Sequence, residues 1–317
     1  MDALYADLVL KGATVLTVDA KDSVAQAVAV KHGRIVGVGT DADVDGLIGR
    51  GTRVLDCRGK TVVPGFVDSH THNTYVGEFR YSFDQLNTAA ELNPTLDALL
   101  AKVKERAASV KPGEWIGGRN YDPNAIREGR WPTRHELDAV APRNPVLITI
   151  RGGHACVANT RALELAKITR ETPDPEGGVI DRDESGDLTG VLRDVNVRSV
   201  PPAATLADLK DGLARLNRMY LKLGITSAHD CGAAPRPEPY RAYQEAVAEE
   251  RWQIRTYLFP YLDYVLAHDA GLRTGFGDDR LRMGGVKLFM DGSIQCFTCA
   301  FRERYVDRDT RGWEGLR

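Results

Sequence analysis

The chain has 317 residues, of which 43% are hydrophobic and 27% charged, and its formal net charge is −2. This composition is typical of a globular protein, and it provides no basic field that would attract nucleic acid or an anionic lipid surface. No apolar stretch of the sequence reaches the roughly 20 residues that a membrane-spanning helix needs. The five cysteines are too few for a disulfide scaffold and predict reduced thiols in a cytoplasmic protein. We therefore expect neither a nucleic acid nor a membrane as a partner.

The first 60 residues alternate between short β-rich runs and turns. The runs lie at residues 8–10, 14–18, 27–30 and 35–38. Gly33 lies between the last two runs, and a glycine in this place is typical of a hairpin because one turn residue needs a positive φ. The pattern predicts a small β-sandwich over residues 1–60.

From residue 61 onward the pattern is that of an α/β fold. An almost continuous apolar run over residues 62–67 predicts a strand that is buried on both faces, as in a parallel sheet. Beyond residue 200, helices near 206–223 and 238–250 alternate with strands near 225–228, 254–259 and 285–290. Such alternation predicts βα units around a parallel sheet. Thr205 would cap the first of these helices and Gly224 would end it.

The segment of about residues 75–200 has a mixed pattern. It contains one clear helix, for which we predict Asn93 as the N-cap and Pro94 at the first helical position. The rest is rich in Gly, Pro and Asp, which is typical of loops. We interpret this segment as a large insertion subdomain within the α/β domain.

His70 and His72 are the sharpest chemical feature of the sequence. In an extended segment, residues i and i+2 point to the same side, so both imidazoles can bind one metal ion. The pair follows the predicted strand over residues 62–67, and strand ends are where enzymes built on parallel strands place their chemistry. The alternative is a pair of surface or packing histidines.

Lys287 lies inside the apolar run of residues 285–290. A closed sheet would bury this run on both faces, and a buried ammonium group needs a partner, a shifted pKa or a modification. Desolvation favours the neutral amine, which can add carbon dioxide and form an anionic carbamate that bridges two metal ions. On physical grounds alone, a lysine whose head reaches solvent at the strand end is an equally good interpretation.

Six segments, taken in chain order, resemble the amidohydrolase superfamily of metallohydrolases, specifically its YtcJ-like (amidohydrolase 3) branch. They lie at residues 64–72, 131–138, 151–155, 177–192, 223–230 and 285–293. The first reads Pro-Gly-Phe-Val-Asp-Ser-His-Thr-His, and the last reads Gly-Val-Lys-Leu-Phe-Met-Asp-Gly-Ser. The resemblance implies a TIM-type (β/α) barrel, of which residues 61–317 would form only about the first half. It also implies that residues 1–60 belong to a composite β-sandwich.

The resemblance further implies the chemistry. His70 and His72 would hold one metal ion, and Lys287, as a carbamate, would bridge to a second. One or two divalent ions are expected, with zinc first and iron, manganese or cobalt as alternatives. A metal-held hydroxide would attack the carbonyl carbon of a small-molecule amide or N-substituted formamide and hydrolyse a non-peptide C–N bond.

Other residues receive supporting roles from the same resemblance. His154, Trp131 and Asp291 are expected to bind the substrate. Asp68 and Asp230 are expected to lie next to the metal ligands and to hold them in position without binding the metal themselves. An ordinary hydrogen-bonded histidine near the site is an equally open interpretation of His154, and of His229.

The sequence departs from the family pattern on the carboxyl-terminal side of Lys287. Members of the family carry two further histidine ligands and an aspartate there, and this sequence shows no such motifs. We count only about four of the eight strands of a closed barrel. We therefore expect the N-terminal portion of a longer enzyme that would be inactive by itself, and we leave a homo-oligomer open. The alternative function is a catalytically inactive, truncated amidohydrolase-like binding or regulatory protein.

Overall fold

The computed structural model describes residues 5–73, 85–150, 153–195, 201, 204–233, 237–260, 269, 271–288, 290–291, 294 and 299–303. The chain divides into two compact units. The first unit consists of residues 1–68 and 221–227, and the second consists of residues 69–220 and 228–317. Within the described ranges, every helix is too short or too polar to cross a lipid bilayer.

The first unit contains two small sheets and a short helix, α1 (Asp41–Asp45). The strands are β1 (Leu8–Lys11), β2 (Thr14–Leu16), β3 (Val24–Ala25), β4 (Ala27–Lys31), β5 (Arg34–Gly39), β6 (Arg53–Asp56) and β7 (Thr61–Val62). One sheet has the order β5-β4-β1-β6 and the other the order β3-β2-β7. All four β-rich runs of the sequence form strands, and Gly33 has a φ of 72° in the predicted hairpin turn between β4 and β5. The packing of these sheets as a sandwich stays a prediction.

Much of the segment predicted as an insertion forms a sheet, where the sequence predicted mainly loops. Its strands are β9 (Leu86–Asn87), β10 (Ile116–Tyr121), β11 (Val146–Ile150), β12 (Ala155–Ala158), β13 (Val179–Arg182) and β14 (Leu188–Arg193). We call this the inserted sheet, and its order is β13-β14-β12-β11-β10-β9. The helices α2 (Leu96–Ser109), α3 (Arg134–Val140) and α4 (Thr160–Leu165) accompany it.

Strand directions in the inserted sheet bring several strand ends to one edge. β9, β10 and β11 are parallel. β12 is antiparallel to both β11 and β14, so β14 runs in the same direction as β11. The carboxyl ends of β9, β10, β11 and β14 therefore share one edge, which we call the carboxyl edge. Ligands of parallel sheets commonly bind at such an edge.

The predicted cap of helix α2 was wrong. Thr95, rather than Asn93, is the N-cap: its backbone is extended, and its hydroxyl accepts a hydrogen bond from the amide of Ala98 at 3.2 Å. Asn93 is fully buried, and its side-chain amide donates to the carbonyl oxygens of Asn87 and Ala89. The asparagine therefore ties the turn before the helix together instead of capping the helix.

The predicted βα units form a second sheet, which we call the main sheet. Its strands are β8 (Phe66–Thr71), β15 (Ile225–Ala233), β16 (Arg255–Pro260) and β17 (Leu281–Met283), in the order β17-β16-β15-β8. Helices α5 (Leu206–Lys222) and α6 (Pro237–Ala248) connect β14 to β15 and β15 to β16. Thr205 caps α5 through a reciprocal pair of hydrogen bonds with Asp208, as the sequence predicted. Closure of the main sheet into a barrel is not seen in the described residues and stays a prediction.

Two burial predictions for the main sheet were wrong. β8 is an edge strand in the described sheet, and Phe66 and Val67 are 57% and 60% exposed instead of buried on both faces. Residues 285–288 lie outside β17, and Val286 and Leu288 are 39% and 59% exposed. Both segments lie at the outer edges of the sheet, where no described strand covers them.

Candidate active site

His70 and His72 lie at the carboxyl end of β8. Their ring centroids are 5.2 Å apart with an interplanar angle of 73°, and both residues are exposed. Thr71, between them, is only 7% exposed, as expected for side chains that alternate along a strand. Two imidazoles at this spacing can share one ion that lies about 2.0–2.1 Å from a nitrogen of each ring. The pair therefore fits as part of a metal site.

Strand β15 lies beside this pair. The hydroxyl of Thr71 donates to the carbonyl oxygen of His229 at 2.8 Å and joins the two strand ends. The His229 ring is 5.4 Å from the ring of Tyr257 and 5.6 Å from the ring of Phe259, both on β16. These contacts are those of a histidine that packs against aromatic neighbours.

Asp230 follows His229 and is fully buried. The hydroxyl of Tyr243 on α6 donates to Asp230 Oδ2 at 2.9 Å. In the same way, Asn73 follows His72, is 1% exposed, and accepts a hydrogen bond from the hydroxyl of Tyr220 on α5 at 2.5 Å. At each of these strand ends, a tyrosine of a neighbouring helix thus donates a hydrogen bond to the buried residue that follows the histidine.

Trp252 joins these two tyrosines. Its ring is 6.1 Å from the ring of Tyr220 and 5.5 Å from that of Tyr243, and its indole nitrogen donates to Thr256 at 2.9 Å. Burial, and then the charge of Asp230, raise the pKa of Tyr243 well above its ordinary value. Tyr243 is therefore a protonated donor over the whole working pH range of a protein.

Lys287 is half-buried, and its backbone amide donates to the carbonyl oxygen of Pro260, the last residue of β16. The lysine therefore lies at the carboxyl end of the main sheet. It is not buried on both sides, a question that the sequence alone had left open. Among the described residues, no group of three or more histidine, cysteine, aspartate or glutamate side chains is gathered as a metal ion would require. Ligation of a metal ion by His70 and His72 therefore stays a prediction.

His154 and Asp194 form a second polar pair, at the carboxyl edge of the inserted sheet. His154 Nδ1 lies 2.8 Å from Asp194 Oδ1, and the backbone amide of Asp194 donates to the carbonyl oxygen of His154 at 2.7 Å. Sequence reasoning selected His154 but missed Asp194. The signal was available only after β14 was recognised, since Asp194 is the first residue beyond that strand.

Asp291 accepts hydrogen bonds from the thiol of Cys299 and the amide of Ala300, both at 3.0 Å. These two donors, and to a smaller extent the charge of His154, lower the pKa of Asp291. The bond to Asp291 in turn raises the pKa of the Cys299 thiol. Asp291 is therefore a carboxylate within electrostatic reach of His154.

The remaining predicted residues are Trp131 and Asp68. Trp131 is 8% exposed, lies in a hydrophobic core and packs against Tyr121 with a centroid distance of 5.1 Å. This placement favours a packing role, and substrate contact by Trp131 stays a prediction. Asp68 is half-buried on β8, two residues before His70.

Comparison with known proteins identifies the family. The amidohydrolase family model Amidohydro_3 matches residues 53–317. The chain is 44% identical over 186 residues to the N-substituted formamide deformylase of Arthrobacter pascens, covering 59% of this chain and 34% of the relative. It is 29% identical over 290 residues to the Bacillus subtilis protein YtcJ, which is named as an amidohydrolase, covering 89% of this chain and 53% of the relative.

A solved structure is also similar. A metal-dependent hydrolase from Pyrococcus horikoshii aligns with a TM-score of 0.71 and 25% identity, over 98% of this chain and 59% of that one. This chain spans 34% and 53% of the lengths of the two curated relatives. Since the family model covers most of the sequence, the chain belongs to the amidohydrolase family, in its YtcJ-like branch.

Proposed function

We propose that this chain is part of a divalent-metal hydrolase that cleaves a non-peptide C–N bond in an amide or N-substituted formamide. The observation that carries the proposal is the pair of imidazoles, His70 and His72, 5.2 Å apart at the end of β8. The relative from Arthrobacter pascens, named as an N-substituted formamide deformylase, supports the choice of bond.

His70 and His72 would hold a metal ion, and Lys287 would carry a carbamate that bridges to a second ion. A bound divalent ion supplies a nucleophile from water near neutral pH and polarises the substrate carbonyl group. Nitrogen ligands suit zinc, and iron, manganese and cobalt accept the same ligand set. Asp230 and Asp68 would keep the histidine-bearing strand ends in place, and for Asp230 the bond from Tyr243 supports this role.

We infer that His154 and Asp291 bind the substrate, and a substrate contact by Trp131 stays a further prediction. The electrostatic influence of His154 on Asp291 supports a shared site for these two side chains. A small uncharged amide fits a site that combines an imidazole with a carboxylate. A cytoplasmic location stays a prediction from the cysteine content.

The test is metal analysis combined with an amide hydrolysis assay on the intact gene product. We expect bound divalent metal, turnover of an N-substituted formamide, and loss of turnover when the metal is chelated. The variants His70→Ala and His72→Ala should each lose metal. His135→Ala is the matched control, because His135 is an exposed histidine of the second unit that lies on helix α3.

Turnover that survives chelation would contradict the metal mechanism. Metal content that is unchanged in both histidine variants would remove His70 and His72 from the site. Bound metal without turnover of any amide would favour the alternative, an inactive binding or regulatory protein.

A further inference from the structure

Arg119 lies on β10, an inner strand of the inserted sheet, close to the carboxyl edge. Its side chain is half-buried, and its Nε atom is buried without a hydrogen-bond partner. No carboxylate or carbonyl group of the described residues pairs with its guanidinium group. A buried donor of a charged group that finds no acceptor costs free energy. Arg119 is therefore a cation for which the described residues supply no counter-ion.

Arginines of similar burial elsewhere in the second unit bind carboxylates. Five of them each bind an aspartate: Arg134 binds Asp187, Arg182 binds Asp174, Arg193 binds Asp181, Arg251 binds Asp211 and Arg282 binds Asp279. Arg119 departs from this pattern, although it belongs to the same sheet as Arg182 and Arg193. Native structures contain few buried polar atoms without a partner, and a binding function is one reason for retaining them. The contrast favours a ligand as the partner of Arg119.

Asn87 supplies a second donor beside Arg119. The two residues are partners in the parallel pair of β9 and β10, so their side chains leave the same face of the sheet about 4.8 Å apart. The side-chain oxygen of Asn87 accepts hydrogen bonds from the amide of Ala89 and from Nδ2 of Asn120, both at 3.3 Å. Asn87 is exposed, and its Nδ2 group is thus left to donate to a ligand next to the guanidinium group.

The backbone that follows Arg119 is irregular. Asn120 has a φ of 66°, in the left-handed region that residues other than glycine seldom adopt. The register between β10 and β11 also shifts between Gly118 and Tyr121. Irregularities of this kind redirect side chains and are frequent beside functional sites. This one lies at the carboxyl edge, where ligands of parallel sheets commonly bind.

A carboxylate is the ligand that fits these donors. A guanidinium group donates two parallel hydrogen bonds to the two oxygens of a carboxylate. Arg119 carries one positive charge, and its neighbours Asn87 and Asn120 are neutral, so a monoanion balances the charge of the site. A phosphate dianion would leave one negative charge without compensation.

We propose that Arg119 and Asn87 form a binding site for a small-molecule carboxylate at the carboxyl edge of the inserted sheet. The inference goes beyond the proposed function and does not depend on it. Formate is a suitable probe, because hydrolysis of an N-substituted formamide releases formate together with the amine.

The main test is a titration of the intact gene product with formate, followed by saturation-transfer NMR of the formate proton. We expect a Kd of about 1–10 mM, since a ligand of so few atoms cannot bind more tightly. Arg119→Gln should weaken binding at least about tenfold, because it removes both the charge and the paired donors. Arg119→Lys should weaken it about threefold to tenfold, because lysine keeps only the charge. Arg255→Gln is the matched control: Arg255 is an exposed arginine on β16 of the same unit, and its variant should leave the Kd unchanged.

Asn87→Ala tests the second donor. It should weaken formate binding about threefold, whereas Asn124→Ala, at an exposed position after β10, should not change it. Inorganic phosphate at equal ionic strength should bind more weakly than formate. Equal losses in Arg119→Gln and Arg255→Gln, or tighter binding of phosphate than of formate, would overturn the proposal.

Thermal unfolding separates a binding role from a structural one. Without formate, Arg119→Met should not lower the Tm, since no bond to a described residue is lost. Arg193→Met, which removes the partner of Asp181, should lower it. Formate should raise the Tm of the wild type but not that of Arg119→Gln. A loss in Arg119→Met as large as in Arg193→Met would mean that another part of the intact gene product holds Arg119, and would overturn the proposal.

Formate binding and amide turnover distinguish failure of this inference from failure of the proposed function. Formate binding that depends on Arg119, without turnover of any amide, would support the site and contradict the hydrolase. Turnover together with equal formate binding by the wild type and Arg119→Gln would support the hydrolase and contradict the site. Formate bound to a metal ion instead of Arg119 would give this second result.

Discussion

Tyr243 donates its phenolic hydrogen to Asp230 across 2.9 Å, and both side chains are completely buried. Burying a carboxylate costs free energy unless it accepts hydrogen bonds. The bond from Tyr243 therefore offsets part of the cost of burying Asp230. The tyrosine thus links helix α6 to a strand end that lies beside the histidine pair.

We predict that Tyr243→Phe lowers the free energy of unfolding by about 2–3 kcal/mol, because it removes one donor from a buried carboxylate while the aromatic packing remains. Urea unfolding at pH 7 measures this change. Tyr5→Phe is the control, since Tyr5 is 40% exposed, and should change stability by less than about 0.5 kcal/mol. A loss below about 1 kcal/mol for Tyr243→Phe would mean that water or a rearranged neighbour replaces the donor.

The elements that the sequence predicted correctly depend on residues close together in the chain. The hairpin of β4 and β5 needs only the turn at Gly33, and helix α5 needs Thr205, Asp208 and the glycine at 224. The inserted sheet was missed because its strands are short and pair with distant segments. β10 alone holds Gly117 and Gly118, which weaken any strand signal.

The same division applies to the candidate site. His70 and His72 were found because a spacing of two in an extended strand is a local pattern. The contact of His154 with Asp194 spans 40 residues, and that of Tyr243 with Asp230 spans 13 residues across a strand and a helix. For Lys287 the sequence left burial and access to solvent open, because burial depends on which neighbouring strand covers the residue.

Lys287 gives a prediction about modification. If it carries a carbamate, the intact gene product equilibrated with carbon-13 bicarbonate and a divalent metal should show a carbamate carbonyl resonance. Lys287→Arg should lose this resonance and bind metal about 10- to 100-fold more weakly, since guanidinium does not form the bridge. Lys104→Arg, an exposed position on helix α2, is the control. A resonance that persists in Lys287→Arg would assign the carbamate to another lysine.

Glu136 gives a prediction about pH. Two nitrogens of Arg130 bind its carboxylate at 2.8 and 2.9 Å, and the amide of Thr133 donates to it at 2.8 Å in the capping box of helix α3. The Arg130 guanidinium, and then Thr133, lower the pKa of Glu136 from 4.5 to about 2. Because the pKa is lower in the folded state, the ionised group stabilises the fold above about pH 4.5, and this contribution disappears as the pH falls towards 2.

Glu136→Gln should therefore cost about 1 kcal/mol of stability at pH 7, since solvent screens a pair whose side chains are 47% and 32% exposed. The difference from the wild type should shrink towards about pH 2.5 in urea unfolding measured along a pH series. Glu105→Gln, at an exposed position of helix α2, should show no such pH dependence. A difference that is constant with pH would assign the effect to packing.

Gly65 gives a prediction about the beginning of β8. A Cβ atom at this position would lie 2.1–2.8 Å from three side-chain atoms of Thr226 on β15, closer than real Cβ atoms approach. Gly65→Ala must therefore displace one of the two strands, and we expect a loss of about 1–3 kcal/mol in the free energy of unfolding. Gly51→Ala is the matched control, because nothing lies within 4 Å of its Cβ position. Thr226→Gly removes the clash, so the double variant should recover most of the loss caused by Gly65→Ala. If Gly65→Ala costs no more than Gly51→Ala, the close approach of the two strands is not required for stability.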